Sequence, residues 1–294
     1  MTVTRRDIET WSVRPPSFLP EWTSTVLREA LADAPVLRDR CEFEMYLQGS
    51  YANETNISGH SDVDLVVQMQ LPFEERIDRL GVDDEKRFWE RYGNTEYGWP
   101  QFRADVLARL RESFFVHEAN KCIDIRHFDS ALRIPADIVP AVEYRDYSGF
   151  PANGPEVYDE GIFFRDRAGN PIINFPKQHL RNGRRKDAAT DRRFKPMVRI
   201  FKNARLRCDQ DLVDASPSYF VECLVYNIDD RVFRQPLREA YPACLRWLRE
   251  HLPKLGEFRC QNELVNLFGT GRGEWRTATA RELVHQLIGD LPRQ

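Results

Sequence analysis

The run "SDVDLVVQM" at residues 61–69 constrains this chain more than any other stretch. Leu65, Val66 and Val67 are apolar at consecutive positions, so the strand they form must be covered on both faces and lie centrally in a sheet. At its mouth stand two aspartates, Asp62 and Asp64. Residues two apart on a strand point the same way with Cα atoms about 6.6 Å apart, so the two carboxylates converge while Val63 turns into the core. Carboxylates at the edge of so apolar a strand are costly unless something positive balances them.

A second β-rich run, "RIPADIVPA", sets Asp137 among Ile134, Ile138 and Val139. Three carboxylates from adjacent strands would form a hard, oxygen-rich cage suited to Mg²⁺ or Mn²⁺. Two such ions about 3.5–4 Å apart can activate a hydroxyl and steady a leaving pyrophosphate. Upstream, Gly49 and Ser50 follow the strand-like "CEFEMYLQG"; glycine lets the backbone approach a phosphate and serine adds a hydroxyl. Taken singly, the D-x-D pair also reads as a solvated turn and Gly-Ser as an ordinary one. Their order along the chain gives them a common purpose, a grip on a metal-bound triphosphate.

Around these motifs the first half alternates between helices over 22–39 and 102–114 and strands over 41–49, 62–69, 121–128 and 131–144. A Gly/Pro-rich loop spans 147–161. A hairpin then turns at Ala168-Gly169-Asn170, followed by helices near 176–187, 191–207, 217–228, 235–251 and 277–289. The pattern predicts an α/β (α+β) protein: a mixed-sheet half over 1–160 packed against a mostly helical half over 161–294, with a ligand cleft between them.

With 294 residues and 41% hydrophobic content there is material for a substantial core. No apolar run approaches the roughly 18 residues of a membrane span, and "MTVTRRDIETW" lacks the apolar stretch of a secretory signal, so a cytoplasmic protein without a membrane partner is expected. The six cysteines are far apart with no C-x-x-C pair, which predicts reduced core thiols and neither a disulfide framework nor a zinc site. The net charge of −3 hides one strongly basic segment, residues 181–207, with eleven Lys or Arg against two Asp. Such a run is either a solvated helix face or the wall of a polyphosphate site.

Four blocks in order, "QGSYANETNISGHSDVDLVV", "ADIVPA", "FPKQHLRNGRRKDAATDRRFKPMVRIFKNAR" and "SPSYFVECLVYNI", resemble the cGAS/DncV-like nucleotidyltransferases of the polymerase-β-type superfamily. Most similar are the CdnE-type bacterial cyclic dinucleotide synthases of CBASS anti-phage systems. The resemblance implies that the sheet half is a nucleotidyltransferase core in which Asp62, Asp64 and Asp137 are catalytic and bind two Mg²⁺ ions, with Mn²⁺ a possible substitute. It implies that Gly49 and Ser50 touch the donor phosphates, that Lys202 reaches the triphosphate, that Ser218 bonds the phosphates and that Tyr219 stacks on the donor base. A lysine suits phosphate as a mobile point charge, and a tyrosine ring offers a base an aromatic face. Without the other blocks, Lys202 would read as one more solvated cation and Tyr219 as core. Asn174 and His179 flank "FPK"; an Asn amide can pair with a base edge, although the two also read as a turn amide and a helix-cap imidazole. Met197 and Phe201 are expected to form the buried stripe of their helix.

The implied partners are nucleoside triphosphate substrates and a downstream cyclic-nucleotide receptor. Nothing here has the His/Cys spacing of the zinc insertion with which the animal sensor grips DNA, so no DNA activator is implied. Linear oligonucleotide synthesis and nucleotidyl transfer to another molecule use the same three aspartates. A non-catalytic nucleotide- or RNA-binding regulator is the rival of another class; such a relative would be expected to lose a carboxylate, and this chain keeps all three.

Overall fold

A computed structural model describes residues 2–291 apart from 16–17, 33, 60–61, 94, 126–134 and 272. The chain divides into two units, one built from Ser17–Gln48 and Asp62–Pro176 and the other from Met1–Pro16, Gly49–Ser61 and Lys177–Gln294. The boundary expected at residue 160 lies instead after Pro176, because the hairpin beyond 157 is hydrogen-bonded into the sheet. The N-terminal segment and the stretch after the first strand join the helical unit, an exchange that local periodicity does not report.

The first unit carries a seven-stranded mixed sheet: β1 Glu42–Gln48, β2 Val63–Arg76, β3 Val116–Glu118, β4 Ile123–Ile125, β5 Ala136–Gly149, β6 Val157–Arg165 and β7 Pro171–Asn174. The order is β1-β2-β5-β4-β3, with β6 added to β5 and β7 to β6. Only β2 and β5 run parallel; every other pair is antiparallel. As its sequence requires, β2 is buried on both faces, with Val63, Leu65, Val66 and Val67 all fully covered. Pro140, which has no N–H for a ladder, stands where β5 exchanges partners: β4 pairs residues 136–138 and β6 begins at 142. Its carbonyl accepts a hydrogen bond from the Trp99 indole at 2.8 Å.

The helix expected over 22–39 is two: Phe18–Ala32, then a single turn Pro35–Arg38 opened by a proline that could not continue the first. Trp99–Arg111 packs against β5, burying Phe102, Val106, Leu107 and Leu110 at the spacing of one helix face. Only Ile123–Ile125 of the strand expected over 121–128 and residues from Ala136 of that over 131–144 are assigned, and 126–134 lie outside the described residues. β5 runs on to Gly149, so the expected loop is shorter at both ends.

In the second unit the helices Pro176–Ala189, Phe194–Arg205, Ser218–Tyr226, Leu237–His251 and Thr277–Gly289 match expectation within a few residues. Val198, Phe201, Phe220, Leu224, Tyr241, Leu245 and Leu283 fill their core, and Met197 and Phe201 are the buried stripe foreseen. A helix that the sequence reading passed over, Arg5–Ser12, adds Ile8 to this core and opens with a Thr4/Asp7 capping box. All six cysteines are free; Cys223, Cys244 and Cys260 are core, but Cys41, Cys122 and Cys208 are only half-buried. Among the described residues no helix is long and apolar enough to cross a membrane.

The fully buried Phe201 ring meets Tyr241 edge-on at 5.2 Å. Phe201→Ala is therefore expected to cost about 3–5 kcal/mol, read as a lowered urea midpoint with unchanged slope.

Candidate functional site

The register of the sheet assembles the acidic site. Asp64 of β2 pairs with Asp137 of β5, and Asp137 pairs in turn with Asp124 of β4. Gln48 on β1 and His117 on β3 extend the row. Side chains in register on neighbouring strands share one face about 4.8 Å apart, so three carboxylates stand abreast. Asp124 escaped the sequence reading, although its apolar–acid–apolar setting in "CIDIR" matches that of Asp64. Its Oδ2 lies 4.0 Å from His117 Nδ1. Asp62 is exposed immediately ahead of β2. Among the described residues no three metal-binding side chains already converge on one point.

Cys122 reports the local field. Burial raises its thiol pKa well above the ordinary value, and the charges of Asp137, Asp124 and Asp64 push it further up, with the thiol hydrogen-bonded to Asp137. A half-buried face of hard oxygen donors with so negative a potential fits a divalent cation such as Mg²⁺ or Mn²⁺. Removing either charge should release the thiol: Asp64→Asn or Asp137→Asn is expected to lower the Cys122 pKa and speed its alkylation at fixed pH, measured by mass spectrometry of the Cys122 peptide.

The remaining expected residues, except Asn174, belong to the helical unit. Gly49 has φ +67°, a left-handed conformation that a side chain would strain, and it opens the turn Gly49–Ala52. The Gly49 carbonyl accepts from the Asn53 amide at 2.8 Å and the Ser50 carbonyl from Thr55 N–H at 2.9 Å, which locks the turn. Ser218 begins a helix whose cap, Pro217, provides no side-chain acceptor, so its first-turn N–H groups keep their capacity for an anion. Asn174 is exposed at the end of β7, paired with Ile162.

The basic segment is divided in its use. Arg181, Arg184 and Arg185 are exposed, whereas Lys195, Arg199, Lys202 and Arg205 are at most 7% exposed. These four neither form a solvated face nor line an open wall. Lys195 pairs with Glu54 at 2.6 Å, Arg199 donates to the Ser12 and Glu54 carbonyls, and Arg205 donates to that of Ser216.

Lys202, 1% exposed, is the deepest. Its ammonium donates to Glu222 Oε2 at 2.9 Å and to Thr55 O and Oγ1 at 3.2 and 3.1 Å. Glu222 also accepts from Thr55 Oγ1 at 2.8 Å and meets His179 Nε2 at 3.0 Å. Burial alone would raise the carboxyl pKa, but Lys202 and His179 outweigh it and hold Glu222 far below the ordinary glutamate range. The His179 ring stacks under Tyr219 at 5.1 Å, with Trp275 at 5.8 Å from the same tyrosine. Tyr219 remains 40% exposed. His179 thus backs an exposed aromatic ring. The sequence signals missed here were Glu222 in "FVECL" and Thr55 in "NETN".

A model of the cGAS/DncV-like nucleotidyltransferase C-terminal helical domain matches residues 181–291. The cyclic nucleotide synthase CdnE01 of Staphylococcus haemolyticus is 33% identical over 298 residues, 98% of each chain. This chain belongs to the cGAS/DncV-like nucleotidyltransferases. Within the family it is of CdnE type: the solved structure of the Rhodothermus marinus CdnE c-UMP-AMP synthase, with Apcpp and Upnpp, superposes with a TM-score of 0.84 at 33% identity, covering 98% of this chain and 96% of that one. A cyclic dipyrimidine nucleotide synthase of Cecembia lonarensis is 32% identical over 245 residues, 78% of this chain and 77% of the other.

Leaving Lys202 buried without its anion is costly, so Glu222→Ala is expected to destabilise this nucleotidyltransferase by about 3–5 kcal/mol in chemical denaturation, and Lys202→Met/Glu222→Met to recover most of that loss. Because the Glu222 pKa is depressed on folding, its stabilisation is complete above the ordinary glutamate pKa and is lost as pH falls below it.

Proposed function

We propose that this chain joins two nucleoside triphosphates into a cyclic dinucleotide, or a larger cyclic oligonucleotide, releasing one pyrophosphate per bond formed. The observation that carries the reading is the pairing of Asp64 with Asp137 on parallel strands, in a chain similar over nearly its whole length to cyclic nucleotide synthases. Asp62, Asp64 and Asp137 are the carboxylates that would hold two Mg²⁺ ions. Such ions, when bound, lower the pKa of an acceptor hydroxyl and neutralise charge on the departing pyrophosphate. The protein's own work is positioning. Asp137 would face the acceptor hydroxyl and take up its proton. Gly49, Ser50 and the N–H groups at Ser218 would bond the donor phosphates, Lys202, its three donors taken by Glu222 and Thr55, would anchor the segment behind the Gly49-Ser50 turn, and Tyr219 would carry the donor base on its exposed ring. Asn174 would read a base edge. The product would act on a receptor protein in CBASS anti-phage defence.

The test is to incubate the chain with Mg²⁺ and all four ribonucleoside triphosphates, treat with phosphatase and identify products by mass spectrometry. A phosphatase-resistant cyclic product is expected, reduced at least about a thousandfold in Asp62→Asn/Asp64→Asn, since metal assistance is worth several kcal/mol. Phosphatase-sensitive oligomers would move the chain to linear synthesis, and no product would remove the reading.

A further inference from the structure

Glu222, a buried carboxylate of the helical unit, contacts Lys202 and Thr55 on one side and His179, which backs Tyr219, on the other. One oxygen takes the Lys202 ammonium at 2.9 Å and the Thr55 hydroxyl at 2.8 Å; the other meets His179 Nε2 at 3.0 Å. Lys202 spends its remaining bonds on Thr55, in the segment that follows the Gly49-Ser50 turn, and His179 lies flat beneath Tyr219. The other ring nitrogen, Nδ1, is buried without a hydrogen-bond partner among the described residues. The imidazole is therefore held from one side only. Glu222, Thr55, Lys202 and His179 are each at most 6% exposed, so none of these bonds competes with water.

We propose that Glu222 is a positioning residue for the donor nucleotide: one anion sets, through Lys202 and Thr55, the Gly49-Ser50 turn meant for the phosphates and, through His179, the tyrosine platform meant for the base. This rests on the functional reading above. It goes beyond that reading in coupling phosphate and base recognition through a group that touches neither. A buried ion pair is a poor source of net stability, because desolvation offsets most of the attraction. Its value here is geometric, since misplacement of a binding group by about 1 Å can cost about a hundredfold.

Binding separates the two arms. The probes are α,β-methylene analogues of the four ribonucleoside triphosphates, which cannot be transferred, and inorganic tripolyphosphate, which engages only the phosphate arm; both are titrated into the full chain with Mg²⁺ by calorimetry. In Glu222→Gln the amide cannot serve Lys202, Thr55 and His179 together, and the Kd of both the preferred analogue and tripolyphosphate should rise about tenfold or more. In His179→Phe the ring beneath Tyr219 survives but its tether is cut: the analogue should weaken severalfold while tripolyphosphate is unchanged. A merely structural role would lower the melting temperature without this split between probes. Should Glu222→Gln fail to fold, His179→Phe carries the test alone. An unchanged Kd for the analogue in a folded variant, or equal weakening of both probes in His179→Phe, overturns the proposal. Failure of every analogue to bind the unaltered chain would remove the functional reading as well, which tells the two failures apart.

Discussion

The pairing of Asp64 with Asp137 is the interaction on which the rest depends. Like charges side by side on neighbouring strands repel, and nothing in strand propensity favours them. The register holds because slipping β2 by one residue would turn Val63, Leu65 and Val67 out of their buried face. On the face that carries the aspartates, the same strands continue into an apolar cluster of Val66, Val139, Ala141 and Ile162. Burial thus forces the carboxylates together, and Asp124 of β4 joins them for the same reason. The electrostatic cost is borne by packing, and a row of carboxylates on one face is the result.

The helical unit solves the opposite problem, an excess of positive charge on one helix. Lys195, Arg199, Lys202 and Arg205 recur every three or four residues, so they rise along one side of Phe194–Arg205. Main-chain carbonyls of Ser12, Glu54 and Ser216 and carboxylates of Glu54 and Glu222 take up their donors. Basic side chains that look like a surface in the sequence are in this way the fastenings of the N-terminal segment and of the Gly49–Asn56 turn. Arg181, Arg184 and Arg185 keep the solvated character the whole run was open to.

Much of this was legible beforehand. The three-residue apolar run of β2 announced a central strand, and the D-x-D pair marked its mouth. Helices of the second unit followed from their period, because packing against a single core imposes it. What escaped depends on contacts distant in sequence. Asp124 earns its place from register with Asp137, and Glu222 from partners 167, 43 and 20 residues away. Glu222 in "FVECL" reads as an ordinary helix glutamate until Lys202 and His179 are placed around it. The division of the chain was misjudged for a related reason: the β6–β7 hairpin follows a loop in sequence but is held by the ladder to β5.

The central claim is that the paired carboxylates of β2 and β5 hold the metal ions of nucleotidyl transfer. Anomalous diffraction from crystals grown with Mn²⁺ and an α,β-methylene nucleoside triphosphate tests it most directly. Two manganese peaks about 3.5–4 Å apart, coordinated by Asp62, Asp64 and Asp137 and by the triphosphate, are expected. A bound nucleotide with no metal at those three carboxylates would contradict it.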